Sequence, residues 1–239
     1  MPAVRSMSLM AKDKDFSYTP SPNHMRQPQD WEPLFQQFLA RQMSADAAHD
    51  IHHVRRVVAN AMQLTAATGA NAAVVFPAAW LHDCVVVPKS SPQRAQASRL
   101  AAAAAGAFLR AQGYGLANVA DIEHAIAAHS FSAGISPRTL EAQIVQDADR
   151  LDALGAIGIA RCIQVGTAAA RPLYHAADPF CHTRQPDDNA ATVDHFYTKL
   201  LRLADAMQTE AGRAEARRRT TFMLAFLEQL ASEIDPVES

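Results

Sequence analysis

The stretch Ile51-His52-His53-Val54-Arg55-Arg56-Val57-Val58-Ala59-Asn60-Ala61-Met62-Gln63-Leu64 decides how this chain is read. At 100° per residue, Val54, Val57, Val58, Ala61 and Leu64 fall on one stripe, the mark of a helix with one buried face. His53 lies at the edge of the stripe and His52 well away from it, so His53 is the better inward-facing ligand. Asp50, one turn earlier and within the stripe, could orient an imidazole. A competing arrangement pairs His49 with His53 at i, i+4 as a two-histidine zinc site, but the HExxH pattern is absent because Asp50 follows His49.

Outward from this stretch the helical period continues, and Ala, Leu, Gln and Arg outnumber the β-branched residues that strands prefer. The segment 1–29 mixes Ser, Pro, Lys and Asp without periodicity and is expected to be a flexible tail, with Met25 an alternative start. Residues 30–235 are expected to form one all-α domain, a bundle of about eight helices. The first covers about 30–41. The second is capped by Ser44 and Asp46 and ended near Thr68 by Gly69. The third covers 72–83, and the fourth, rich in alanine, runs over 93–112 to a stop at Gly113. A short helix over 116–129 precedes a long one from Pro137 to about Val165. Three prolines and many polar residues make 171–189 a long loop or lid. Two helices, about 191–207 and 209–234, close the chain. Val85-Val86-Val87 is an isolated triplet and does not make a sheet.

Composition narrows the possible functions. Of 239 residues 49% are hydrophobic, enough for one substantial core, and 22 basic against 24 acidic residues leave no broad basic face for nucleic acid. Arg217-Arg218-Arg219 is the only basic run and reads as a solvated helix face. Cys84, Cys162 and Cys181 have no CxxC spacing and are odd in number, which argues against a disulfide framework or a zinc ribbon and fits a reducing compartment. No apolar stretch reaches the length of a membrane span and none near the start resembles a signal peptide, so a cytoplasmic protein without a membrane partner is expected. A homodimer is compatible with all of this.

Two further fragments carry chemistry. Ala78-Ala79-Trp80-Leu81-His82-Asp83 ends a buried helix with two adjacent polar side chains, which cost about 1 to 3 kcal/mol each if unpartnered. A metal ion would supply the partner. Gln146-Asp147-Ala148-Asp149-Arg150-Leu151-Asp152 offers further carboxylates. Periodicity does not choose between them: Asp147 shares a face with Leu140, Leu151 and Leu154, Asp149 with Val145, Asp152, Ala153 and Ala156.

Taken together, His53 ahead of Val57, then Leu81-His82-Asp83, then Asp147-Ala148-Asp149-Arg150-Leu151 resemble the HD superfamily of metal-dependent phosphohydrolases. The longer strings, Leu81 through Lys89 and Asp147 through Arg161, are similar to its small bacterial members, some of which cleave nucleoside triphosphates. The resemblance covers about 31–235. It implies four metal ligands, His53, His82, Asp83 and Asp149, and a divalent ion drawn from Mn, Mg, Fe, Ni or Zn, which such an N and O ligand set does not distinguish. Asp147 would then hold a water or a ligand histidine, or only pack the helix. A bound ion leaves positions for water and a phosphoryl oxygen and offsets charge in the transition state.

Lys89 and His129 are the candidate catalytic residues, His129 as proton donor or phosphate contact, and Arg94 and Arg150 the candidate phosphate binders. His124 and His129 lack the His-His doublet of two-metal relatives, so one metal is expected. Val86 and Val87 stand where the guanosine-tetraphosphate hydrolases of the superfamily carry Glu-Asp, which counts against that activity. The expected activity is hydrolysis of a small phosphorylated metabolite, a nucleotide above all, at a phosphoanhydride or phosphomonoester bond. The alternatives are a phosphodiester hydrolase acting on cyclic nucleotides, favoured if His124 and His129 both bind metal, and a metal-binding regulatory module without turnover.

Overall fold

The computed structural model describes residues 28–42, 51–87, 91, 93–130 and 133–234. Among them are nine α-helices: α1 (Glu32–Gln42), α2 (Ile51–Thr68), α3 (Ala72–Leu81), α4 (Ala97–Ala111), α5 (Leu116–His129), α6 (Leu140–Leu151), α7 (Gly155–Ala168), α8 (Asp194–Thr198) and α9 (Glu210–Ile234). No strand occurs among the described residues, and Val85 to Val87 are irregular. The fold is all-α, as the periodicity requires. Tail residues 1–27, the capping residues Ser44 and Asp46, and His49 and Asp50 lie outside the described residues.

Helix α3 is the centre of the bundle. Val74 through Leu81 are all buried, so the helix is apolar on every side and must be surrounded. It packs against α2 and α5, and α6 closes the group by touching α2, α3 and α5. The Asn71 side chain accepts the Ala73 N–H at 3.0 Å and starts α3. Pro77 stands inside the helix and cannot donate to the carbonyl of Ala73. The Tyr114 hydroxyl donates to that oxygen instead, at 2.6 Å. Small residues let α4 and α5 approach closely: a Cβ on Gly106 would sit 1.7 Å from the Glu123 carboxylate.

Two expected helices divide differently. The one expected over 137–165 is α6 and α7, bent by 62°. Thr139, not Pro137, opens α6, with its side chain accepting from Ala142 N–H. The break at Asp152 to Leu154 has two causes: Asp152 turns into an ionic cluster, and Gly155 takes φ +70°, a left-handed value that ends helices and suits glycine. The helix expected over 191–207 is only the short α8 and a 3-10 turn, Leu200–Arg202, separated at Lys199 by non-helical angles (φ −137°, ψ −59°).

The loop 171–189 is tied down by its own polar groups. Asp178 accepts backbone N–H bonds from His182, Thr183 and Arg184 at 2.7 to 3.2 Å. Arg184 donates both guanidinium ends to the buried Asp194 at 2.5 and 2.7 Å, and the amides of Thr192 and Val193 bond to the carbonyls of Pro172 and Leu173. No single helix among the described residues is long and apolar enough to cross a membrane.

Candidate metal centre

Four helices deliver one polar cluster to the same end of the bundle. His53 comes from the first turn of α2, His82 caps the C-terminal end of α3 with Asp83 beside it, His129 is the last residue of α5, and Asp149 lies in the last turn of α6. The three imidazoles are buried, His82 completely, while the side chains of Asp83 and Asp149 keep 25% and 32% of their surface exposed. The cluster thus has an imidazole floor and a carboxylate rim open to solvent.

All three rings are held in the same way. His82 donates its Nδ1–H to the Ala79 carbonyl at 2.8 Å, and His129 donates its own to the Ile126 carbonyl at 2.7 Å. His53 Nδ1 sits 2.6 Å from the Asp152 carboxylate, which can only accept. With Nδ1 protonated in each ring, the lone pair is left on Nε2. Those Nε2 atoms converge: His53 and His82 lie 3.5 and 3.9 Å from one oxygen of Asp149, while His82 and His129 lie 3.7 and 3.4 Å from the two oxygens of Asp83.

This donor set fits a divalent cation. His82 Nε2 is fully buried, accepts no hydrogen bond, and faces only carboxylates and other imidazoles. A neutral imidazole lone pair in that position calls for an electrophilic partner, and a divalent cation held with the surrounding carboxylates supplies one. Two triads are each compact enough to grip one ion, His53, His82 and Asp149, and His82, Asp83 and His129. They share the single lone pair of His82, which serves one ion at a time. The absence of thiolate and the presence of two carboxylates keep the set on the N and O side of metal preference.

The electrostatics follow from burial and from these neighbours. Burial, with His129 and His53 alongside, lowers the His82 pKa and keeps that ring neutral. At His129 burial also works against the charge, but the hydrogen bond and charge of Asp83 outweigh it and raise the pKa to about 8. Without metal, His129 therefore holds a proton that Asp83 stabilises. A raised histidine pKa contributes stability that is complete below the unfolded value near 6.5 and is lost as pH rises through about 8, a contribution of about 2 kcal/mol from a shift of that size. Metal-stripped protein should accordingly lose stability between pH 6.5 and 8 in urea titrations, and His129→Gln should remove that dependence.

Asp152 is a residue that sequence reasoning left without a role. Burial disfavours its charge, but His53, Arg56 and Arg161 more than compensate and depress its pKa to about 2. Arg56 reaches both carboxylate oxygens, at 2.6 and 3.1 Å, and Arg161 adds a contact from α7. This bracket fixes the His53 ring and its tautomer, the usual support behind a ligand histidine. Arg56 stands three residues after His53, on the same helix face, which is a legible signal; Asp152 and Arg161 depend on the unexpected break after α6. We expect Asp152→Asn to weaken divalent-metal affinity by about 10- to 100-fold, measured by competition with a chromophoric chelator.

The other expected residues are placed as follows. His52 is on the exposed side of α2. Asp147 points away from the cluster, to the start of α9, where it accepts from the backbone N–H of Gln208 and Thr209 and from the Thr209 hydroxyl, each at 2.8 Å. His124 is also elsewhere, with Nε2 accepting the Arg138 N–H at 3.0 Å. Arg94 donates to the Val87 carbonyl and braces the loop after Asp83. Arg150 donates to the Ala206 carbonyl, with Asp147 and Asp149 both near enough to oppose the effect of burial on its charge. Lys89 lies outside the described residues. The structure brings His129 to the cluster through Nε2, beside the four expected ligands.

A bundle whose helix ends bring histidines and aspartates together, with the His-Asp doublet at its centre, is the architecture of the HD domain. The family model for the HD domain matches residues 50–154. YpgQ of Bacillus subtilis is 34% identical over 197 residues, 81% of this chain and 88% of its own length. This chain belongs to the HD-domain family. Among solved structures, an HD-superfamily hydrolase from Bacillus thuringiensis is similar with a TM-score of 0.67 and 33% identity, covering 87% of this chain and 98% of that one. The crystal structure of YpgQ in complex with ADP is similar with a TM-score of 0.63 and 30% identity, covering 88% of this chain and 95% of that one.

Proposed function

We propose that this protein is a metal-dependent phosphohydrolase that hydrolyses a small phosphorylated metabolite, a nucleotide above all, at a phosphoanhydride or phosphomonoester bond. The observation that carries the reading is the buried, unpartnered Nε2 of His82, ringed by His53, His129, Asp83 and Asp149. His53, His82, Asp83 and Asp149 would hold one divalent ion, with His129 beside them. Bound there, such an ion lowers the pKa of water and offsets negative charge on a phosphoryl oxygen.

The chain's own groups do the rest. Asp152 with Arg56 and Arg161 keeps His53 oriented, and the carbonyls of Ala79 and Ile126 do the same for His82 and His129. The buried imidazole floor excludes bulk water on one side, and the partly exposed carboxylates leave the other side open to an incoming phosphate. Arg150, which follows Asp149 on α6 and now donates to the Ala206 carbonyl, is the candidate cation for that phosphate. A nucleotide is supported by the ADP held in the YpgQ crystal. The cyclic-nucleotide alternative loses its support, because His124 is occupied away from the cluster.

The test is phosphate and pyrophosphate release from a panel of nucleoside mono-, di- and triphosphates and cyclic nucleotides by metal-reconstituted protein. Turnover of a linear nucleotide that His82→Ala abolishes supports the reading. Metal binding without release from any panel member would move the protein to the class of metal-binding regulatory modules.

A further inference from the structure

A cavity of about 420 Å³ lies on the outer side of the bracket around His53. Its floor is the Arg56–Asp152 pair; none of His53, His82, Asp83, His129 or Asp149 lines it. The volume falls within the range of small-ligand sites. The lining holds three guanidiniums, Arg56, Arg218 and Arg219, and one carboxylate, Asp152, which is fully engaged by Arg56, Arg161 and His53; Glu215, outside the lining, pairs with Arg218 and Arg219, so with Arg161 four guanidiniums meet two carboxylates. Arg219 is held in place by Glu215, the Leu151 carbonyl and Asn60, so that wall is preorganised, whereas Arg218, 74% exposed, is held only by a surface ion pair with both oxygens of Glu215, a contact weak enough in water to be exchanged for a ligand.

The opposite wall is apolar and wet. Phe222 is 54% exposed and Ile157 40%, an arrangement that leaves an aromatic face and an aliphatic one in water beside fixed positive charge. The first turn of α7, Gly155 to Ile157, completes the lining, and its N-cap position, Leu154, supplies no side-chain bond. Gly155 is required there twice over: by its φ of +70° and because a Cβ would press against the Arg219 side chain at 3.3 Å.

We propose that this cavity is a second ligand site, separate from the metal centre, for a small organic anion: a phosphate, sulfonate or carboxylate group carried on a flat apolar body. The anionic group takes the Arg218 guanidinium as a planar fork in exchange for Glu215, beside the fixed guanidiniums of Arg56 and Arg219, and the body lies between Phe222 and Ile157. Naphthalene-1-sulfonate, which offers both parts and no hydrolysable bond, is the probe.

Calorimetric titration of the full-length protein should show one saturable site. Phe222→Asp and Arg218→Glu, both at exposed positions, should each weaken it at least tenfold, while His82→Leu leaves it unchanged. Inorganic sulfate, charge without the body, should bind at least tenfold more weakly than the probe. Binding lost in His82→Leu would place the probe at the metal centre and overturn the proposal. So would binding indifferent to Phe222 and Arg218, equal affinity for sulfate, or no saturation at millimolar probe.

Discussion

Asp149→Asn is expected to lower phosphohydrolase turnover by about 10³-fold, several kcal/mol of transition-state stabilisation, while leaving the stability of the metal-free protein within about 1 kcal/mol of wild type. Asparagine keeps the shape of the side chain, and a carboxylate that retains 32% of its exposure has little burial to lose. What it removes is the oxygen that His53 Nε2 and His82 Nε2 face at 3.5 and 3.9 Å. The amide offers a weaker, neutral ligand in its place, so the ion is held loosely and its charge is less well matched. Turnover at saturating metal and urea unfolding of stripped protein, taken together, check both halves. A variant that unfolds but retains full turnover per folded molecule would show that Asp149 is structural.

Asp147→Ala, two residues earlier, is expected to do the opposite. It should destabilise the protein by about 3 kcal/mol, a shift of about 10 °C in Tm for a chain of this size, and leave metal affinity of the folded protein unchanged. Asp147 is buried and binds the Gln208 and Thr209 amides and the Thr209 hydroxyl, while Thr209 in turn accepts the Gly212 N–H at 2.9 Å. One carboxylate thus anchors the start of α9 to α6. Removing it orphans the buried amide and hydroxyl of Thr209, at about 1 to 3 kcal/mol each, and frees the amide of the exposed Gln208, and part of that cost is offset because burial already strains the charge and raises the Asp147 pKa. The fit is tight enough that a Cβ on residue 212 would lie 2.4 Å from the carboxylate. Thermal melts in chelator, with metal titrations below the transition, separate the two effects.

The contrast between these neighbours explains what the sequence could and could not say. Helix α2 buries one stripe, so a wheel sufficed to turn His53 inward and His52 outward. Helix α6 is covered on several sides, by α2 and α5 as well as by α9, and Asp147 and Asp149 each find a partner on a different side. Periodicity has no exposed face to work from there, and only the resemblance to HD proteins pointed to Asp149. The helix α3 doublet was legible because polar residues at the end of an all-apolar segment demand a partner.

The break between α6 and α7 was misread because Leu151, Leu154 and Ala156 continue the helical period through it. Gly155, with its left-handed angle, was the signal, and with it would have come Asp152 and Arg161. For the same reason the expected eight helices are nine among the described residues. The helix expected over 191–207 is interrupted at Lys199, whose non-helical angles separate α8 from the 3-10 turn, and no glycine or proline marks that break in the sequence.

The measurement that bears most directly on the account is titration of metal-stripped protein with Mn²⁺ while phosphate release from the preferred nucleotide is followed, in wild type and His82→Leu. A metal-dependent hydrolase with this centre shows no turnover at zero metal, a rise that saturates at one ion per chain in wild type, and no response in His82→Leu, whose fold is retained because leucine fills a fully buried site. Full turnover in chelator, or a His82→Leu curve that matches wild type, would contradict it.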